Sequence, residues 1–340
     1  MTRPAVSVLL PCYNAEANLD EALESLARQT IEEIEVIAVD DGSVDSTPAI
    51  LARWAGFDSR IRVIRQDHAG IIEALNRGMA ACSAPHIARM DHDDRCHSQR
   101  LFLQKGYLDA HPEVAVVGCL VRATPFGNVR EGLRIYLDWL NSLVEGEDIR
   151  REIFIESPLV HPSVMFRAEA VRAVGGYQER GWPEDYDLWL RLYLNGVRFG
   201  KVPQVLLEWR EHPHRLTRLD SRYSLENFLR LKAHYLAQGP LASRQSIFVW
   251  GAGMTGRRLV KQLERLEVPL VAFIDVDPAK IGRRRRGLPV LAPDELPDRW
   301  GNSPKPALLA AVGARRARPL IRQHIRSMGL EEGSDWWFVA

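Results

Sequence analysis

Short apolar runs alternating with helix-period segments fill the first hundred residues of the chain. Residues 6–10 (VSVLL) form one apolar-rich run, Leu19, Ala22, Leu23 and Leu26 follow at helical spacing, and residues 35–39 make a second strand. Thr47 and Pro48 are an N-cap and first-turn pair for a helix through Trp54, and residues 61–64 supply a third strand. Ile71, Leu75 and Met79 share one face of a helix predicted over residues 70–82, which leads to a fourth strand at residues 86–90. The resulting βαβαβαβ order predicts a mostly parallel sheet with helices on both faces.

Past Ser98 the pattern predicts a helix to Ala110 and a strand over residues 114–118. Residues 122–158 have no clear period; their polarity and Gly/Pro content read as loops and short helices shaping a pocket, the expected seat of acceptor choice. A strand at 161–166, a helix from Ala168, a turn at Gly175 and Gly176, a helix over 185–194, strands at 197–202 and 206–210, and a helix over 221–237 complete a first domain, residues 1–238. Gly239 and Pro240 mark a linker. The pattern then restarts as strand 247–250, Gly-rich turn 251–256, helix 257–266 and strand 270–274, a second α/β domain over residues 245–340.

Composition narrows the class. A chain of 340 residues with 46% apolar and 26% charged residues has the make-up of a globular protein large enough for two cores. With 45 basic against 44 acidic residues it has no global field directed at nucleic acid. The N-terminal apolar run is too short for a secretory leader, and no stretch of about 18 apolar residues predicts a membrane span. Cys12, Cys82, Cys96 and Cys119 lack CxxC spacing and fit reduced thiols in a cytoplasm. Attachment to the inner face of a membrane and oligomer formation stay open.

Two acidic clusters carry the chemistry. Asp40-Asp41-Gly42-Ser43 stands at the C-terminal end of the second predicted strand and Asp91-His92-Asp93-Asp94 at that end of the fourth, the edge where open parallel sheets bind ligands. Carboxylates at strand-to-helix turns also serve as helix caps. Several carboxylates so close repel one another, however, and a divalent cation such as Mg²⁺ or Mn²⁺ relieves that cost. Such an ion neutralises a diphosphate leaving group.

In order along the chain, VSVLLPCYN at 6–14, VDDGSVDST at 39–47, GIIEALNRG at 70–78, MDHDD at 90–94 and WPEDYDLWL at 182–190 together resemble family 2 glycosyltransferases of the GT-A fold. The likeness spans roughly residues 5–215 and implies a nucleotide-sugar donor. By this resemblance Pro11, Tyr13 and Glu16 border the base and ribose, and Asp41, beside Asp40, recognises the base, commonly uracil. Asn76 and Arg77 approach nucleotide or sugar, while Asp91 and Asp93 form the DxD pair, Asp93 on the metal and Asp91 on ribose or sugar near it, with Asp94 in support. His212 corresponds to a late histidine that touches metal or diphosphate; a plain surface histidine is the competing reading, and His214 next to it leaves the assignment ambiguous.

The resemblance makes Asp185 the catalytic base with Glu184 its neighbour, a placement that the preference of carboxylates for helix N-termini also accounts for. It implies a single displacement with inversion. Neither the Gln-x-x-Arg-Trp motif nor the membrane helices of processive members occur, which favours single transfer, onto a glycan or lipid-linked acceptor in cell-surface polysaccharide synthesis. In the second domain Gly251, Gly253 and Gly256 open a helix after a strand, and Asp275 ends the next strand where a ribose-binding acid is expected. That resembles the dinucleotide-type domains of sugar-modifying enzymes, with NAD(P) as the implied ligand and a purely structural domain as the alternative. Competing whole-chain readings are an NAD(P)-dependent sugar-modifying enzyme, a nucleotidyltransferase, which lacks its Gly-rich loop after the first strand, and a non-catalytic nucleotide-sugar-binding scaffold. Arg283, Arg284, Arg285 and Arg286 read as a solvated loop, with phosphates, acidic lipid or an anionic acceptor as the alternative partners, and Trp336, Trp337 and Phe338 as packing rather than a contact surface.

Overall fold

The computed structural model describes residues 3–124, 131–213 and 215–340. They form two compact units: residues 1–150, 158–180 and 184–219 make the first, and residues 151–157, 181–183 and 220–340 the second.

In the first unit the alternating pattern becomes β1 (Val6–Cys12), α1 (Leu19–Ala27), β2 (Ile34–Asp41), α2 (Thr47–Phe57), β3 (Ile61–Gln66), α3 (Ile71–Ala81) and β4 (His86–Arg89). There follow β5 (Arg95–Cys96), α4 (Arg100–Ala110), β6 (Val114–Thr124), α5 (Glu131–Ser142), α6 (Gly146–Glu152), β7 (Met165–Arg167), α7 (Ala168–Ala173), α8 (Glu184–Leu194), β8 (Arg198–Arg210) and α9 (Leu216–Leu219). The sheet order is β3-β2-β1-β4-β7-β6-β8-β5, with β1 to β4 parallel and β7 and β5 antiparallel to their neighbours. Every residue of β1 is buried, as a central strand covered on both faces requires. Helix α1 buries Leu19, Ala22, Leu23 and Leu26, the stripe its period marks. Helix α3 lies so close to the sheet that a Cβ on Gly78 would collide with Leu9 Cδ1 and stand 3.0 Å from Val39 Cγ2. That glycine serves packing.

Two expectations change, and the segment without a clear period takes form. The strand predicted over 161–166 is a 3₁₀ turn, His161–Ser163, with Pro162 in it, and only Met165–Arg167 joins the sheet. The two strands predicted at 197–202 and 206–210 are one, β8, whose register against β6 shifts around Cys119 and Leu120. The segment 122–158 holds the end of β6 and helices α5 and α6; residues 125–130 lie outside the described residues.

The second unit contains α10 (Leu225–Gln238), β9 (Ser246–Trp250), α11 (Met254–Glu264), β10 (Leu270–Ile274), β11 (Arg284–Arg285), β12 (Leu288–Leu291), α12 (Leu296–Gly301), β13 (Pro306–Ala310), α13 (Arg318–Ser327) and β14 (Trp336–Phe338). Its sheet runs β11-β12-β10-β9-β13-β14. Trp336, Trp337 and Phe338 are buried, β14 being the parallel edge strand next to β13. The arginine run is not a plain loop: Arg284 and Arg285 pair antiparallel with β12 and Arg286 bonds Glu264. Among the described residues no helix is long and apolar enough to cross a membrane.

Candidate functional site

The C-terminal ends of β1, β2 and β4 meet because β1 lies between the other two, with Cys12 level with Asp40 and Leu9 level with Arg89. The loops leaving β1 and β2 are fastened together: Asn14 N–H donates to Ser43 Oγ (2.9 Å), Ala15 N–H to Thr47 Oγ1 (2.7 Å), Glu16 N–H to Asp45 (3.1 Å), and Ser46 N–H to Glu16 Oε2 (3.0 Å). Glu16 is thus occupied at the start of α2, while Pro11 stays in the strand with its carbonyl 3.4 Å from His92 Nδ1.

Asp41, only 2% exposed, organises the turn into α3. Its carboxylate accepts from Ala69 N–H (2.9 Å), Gly70 N–H (2.9 Å) and Gln66 Nε2 (2.6 Å), and His68 Nδ1 stands 2.9 Å away. Gly42 has φ +74°, and a Cβ there would lie 2.7 Å from His68 N, so the DDG turn needs its glycine. The His68 ring lies flat against exposed Tyr13, centroids 4.1 Å apart at 19°, an aromatic platform beside Asp41. Asp40 points elsewhere: Oδ1 caps Ser43 N–H at 3.0 Å, and Oδ2, near Arg65 at 3.5 Å, is buried without a hydrogen bond. Asn76 is taken by the fold, since its amide bonds both the carbonyl (2.9 Å) and the N–H (3.0 Å) of Tyr177. Arg77 is exposed on α3.

Asp91, Asp93 and Asp94 bring one carboxylate oxygen each within 4.8 Å of one another, the one such group among the described residues. Asp91 pairs with Arg89; Asp93 Oδ2 lies 2.8 Å from His212 Nε2; Asp94 Oδ1 accepts Arg210 N–H at 2.8 Å. His214 lies outside the described residues. Burial first, then Asp93 and Asp91, pushes the Asp94 carboxyl well above its ordinary range, and its Oδ2 is buried without a hydrogen bond. Burial acts the same way on Asp93, but His92, His212 and Arg215 outweigh it and hold that carboxyl low. A buried acceptor with no donor, inside three mutually repelling carboxylates, fits a divalent cation held by Asp91, Asp93 and Asp94 with His212 alongside.

Glu184 and Asp185 open α8, whose apolar body (Leu188, Trp189, Leu190, Leu192) is buried. Asp185 is half-buried, and its carboxyl is pushed up to about 8 by burial and by Glu184, against the Tyr186 N–H bond (2.7 Å) and Arg89. Sequence reasoning missed three residues here: Arg89, 3% exposed, and His161 and Tyr177, whose Nε2 and hydroxyl are 2.8 Å apart. His161 Nδ1 stands 3.9 Å from Glu184 Oε1, and burial, then Arg89, lowers its pKa well below the usual value, so it is neutral. The available signal was Arg89 itself, an arginine inside an apolar strand just before an acidic run.

In the second unit a Cβ on Gly256 would strike Gly251 O and one on Gly251 would lie 2.9 Å from Ala311 O, while Gly253 faces open space. Asp275 accepts Ala252 N–H (2.8 Å) and Asp277 N–H (3.0 Å) and pairs with Lys280 (3.2 Å).

The glycosyl transferase family 2 model matches residues 7–175 and the CoA binding domain model residues 242–326. The amylovoran biosynthesis glycosyltransferase AmsE of Erwinia amylovora is 35% identical over 207 residues, 60% of this chain and 75% of that protein. S. aureus TarS 1–349 in complex with UDP-GlcNAc has a TM-score of 0.57 at 19% identity, covering 76% of this chain and 72% of that one. Mannosyltransferase PcManGT from Pyrobaculum calidifontis in complex with GDP-Man and Mn²⁺ has a TM-score of 0.52 at 22% identity, covering 70% and 63%. At such identities the two structures speak for the fold, a GT-A domain with a smaller α/β unit after it. The sequence likeness to AmsE reaches further, and by it this chain belongs to glycosyl transferase family 2.

Proposed function

We propose that the chain is a metal-dependent, inverting glycosyltransferase that moves a sugar from a UDP-linked donor to a hydroxyl of a glycan or lipid-linked acceptor, in cell-surface polysaccharide synthesis on the cytoplasmic side. Residues 1–238 carry the transferase and residues 245–340 the attached module. The observation behind this reading is the close approach of Asp91, Asp93 and Asp94, together with the Glu184–Asp185 pair that opens α8 as the second acidic motif of the unit. AmsE, named for amylovoran biosynthesis, and the UDP-GlcNAc and Mn²⁺ complexes of the structural relatives support donor, metal and pathway.

Tyr13 and His68 offer a stacking surface for the base, with Asp41 beside it. Asp91, Asp93, Asp94 and His212 hold the cation, which when bound offsets charge on the departing diphosphate. Asp185 takes the proton of the acceptor hydroxyl; the new C–O bond forms at the anomeric carbon as the bond to the diphosphate breaks on the opposite face. A carboxyl pushed up to about 8 is a stronger base than an ordinary one. For the second unit, engagement of Asp275 by its own loop favours a fold-keeping use of the glycine motif over NAD(P) binding.

A thermal-shift screen of nucleotide sugars with and without Mn²⁺ tests the reading, with Asp93→Asn as control. UDP-linked donors are expected to stabilise the protein only with metal, by roughly 2.7 kcal/mol at a hundredfold excess over Kd, and the control is expected to lose the effect. Equal stabilisation without metal, or none by any nucleotide sugar, would overturn it.

A further inference from the structure

We propose that the C-terminal edge of the second unit's sheet is a membrane-docking face: Met254, Val276 and Leu320 enter the headgroup region of an anionic lipid surface, and Arg257, Arg258 and Arg316 meet its phosphates. The inference does not depend on the transfer chemistry.

Charge is divided unevenly along the chain. Residues 220–340 contain 20 basic and 12 acidic side chains, whereas residues 1–219 contain 25 and 32. The net +1 of the whole chain thus conceals +8 in one part and −7 in the other, and the positive part is the stretch that holds the second sheet. Such a division gives that stretch a field for anionic surfaces which the total hides.

Exposed apolar side chains gather at one edge of the same sheet. Strands β10, β9 and β13 are parallel neighbours that end level, Ile274 beside Trp250 and Trp250 beside Ala310, so the loops that leave them lie together. Those loops are fastened to one another. Ala252 N–H donates to Asp275 Oδ2 at 2.8 Å, a Cβ on Gly251 would lie 2.9 Å from Ala311 O, and one on Gly313 would lie 3.1 Å from Thr255 Oγ1. Each loop, or the helix it opens, carries one large apolar side chain into solvent: Met254 is 59% exposed, Val276 68% and Leu320 69%. A single exposed apolar residue needs no explanation, but three on adjacent loops of one edge do.

Basic side chains accompany them. Arg257 and Arg258 follow Met254 by three and four positions and are exposed on the same face of α11, while the opposite face buries Leu259, Val260 and Leu263. Arg316 is exposed four positions before Leu320. The carboxylates of the β10 loop are occupied, Asp275 and Asp277 pairing with Lys280 at 3.2 and 3.3 Å. Exposed Asp294 and Glu295 stand to one side, after β12. Among the described residues no carboxylate forms an ion pair with Arg257, Arg258 or Arg316. Apolar tips among unpaired arginines match a bilayer interface, where the tips leave water and the guanidiniums reach lipid phosphates. A second copy of this edge would instead set arginine against arginine.

Co-sedimentation of the full-length protein with phosphatidylglycerol vesicles and with phosphatidylcholine vesicles tests the proposal, at low salt and at roughly 0.5 M salt, where charge is screened within a few ångströms. Binding is expected to the anionic vesicles alone, weakening as salt rises. Arg257→Gln with Arg258→Gln is expected to weaken it about 20-fold, at roughly fivefold for each arginine near the surface. Met254→Glu with Leu320→Glu is expected to abolish it, thermal unfolding showing that each variant is folded. Should the glutamate pair not fold, Met254→Ser with Leu320→Ser replaces it, with an expected loss of about tenfold. Equal binding to both vesicles, binding to neither, or binding that the substitutions leave intact would overturn the inference. A dimer in solution that the glutamate pair dissolves would overturn it too, assigning the edge to a second copy.

Discussion

Asp185 stands half-buried at the head of α8, where its surroundings alter its chemistry. Burial raises its pKa to about 8, Glu184 adds to the rise, and the Tyr186 N–H and Arg89 only partly oppose it. As a base it acts once deprotonated, so kcat/KM is expected to climb with pH towards about 8. In Asp185→Asn, kcat should drop by about 10²–10⁴-fold with the limb gone and UDP affinity by calorimetry unchanged. The same shift bears on stability. Because the folded pKa lies above that of an ordinary aspartate, the native state keeps a proton that the unfolded chain has lost between roughly pH 4 and 8, and stability from this group falls as pH rises through that window. Asp185→Asn has no such cost, so its stability relative to the wild type, from urea unfolding, is expected to improve from pH 5 to pH 9. Asp93 stands opposite in sign, held ionised by His92, His212 and Arg215 against its burial. Asp93→Asn is therefore expected to abolish Mn²⁺ binding in calorimetry.

Among the elements, α3 shows how a motif shared with a family divides between packing and chemistry. Asn76 clasps both main-chain groups of Tyr177, and its removal leaves a donor and an acceptor without their partner. Asn76→Ala is expected to cost about 2–3 kcal/mol, read as a lowered Tm, with UDP affinity retained in the folded fraction. Its neighbour Gly78 admits no methyl group without displacing Leu9, and Gly78→Ala is expected to cost about 1–3 kcal/mol. Neither role could be read from spacing, because both partners lie far away in sequence. The strands were legible where period and burial agreed, as in β1 to β4. At His161–Ser163 an apolar run around Pro162 looked like a strand, and the ring fixed a turn instead. At β8 two strands were expected on either side of residues 203–205, but they run on as one whose register against β6 is irregular there.

At the scale of the whole molecule the chain is two units, and in the second the glycine fingerprint serves the turn between β9 and α11. Gly251 and Gly256 are required by the turn itself, and Asp275 secures the Ala252 N–H and Lys280. Asp275→Ala is accordingly expected to destabilise the protein by about 1–3 kcal/mol with no dinucleotide present, seen in a thermal scan; an unchanged Tm would return Asp275 to a ligand-binding role. The order of strands and helices, the acidic runs at the strand ends and the family likeness were all determined by the sequence alone, because periodicity and local charge are properties of neighbours in the chain. Which carboxylates approach one another, that Arg89 pairs with Asp91 out of water, and that Glu16, Asn76 and Asp275 bond main-chain groups of neighbouring segments were decided only by tertiary structure. Desolvation and hydrogen-bond saturation depend on groups that the fold, and not the chain order, brings within a few ångströms.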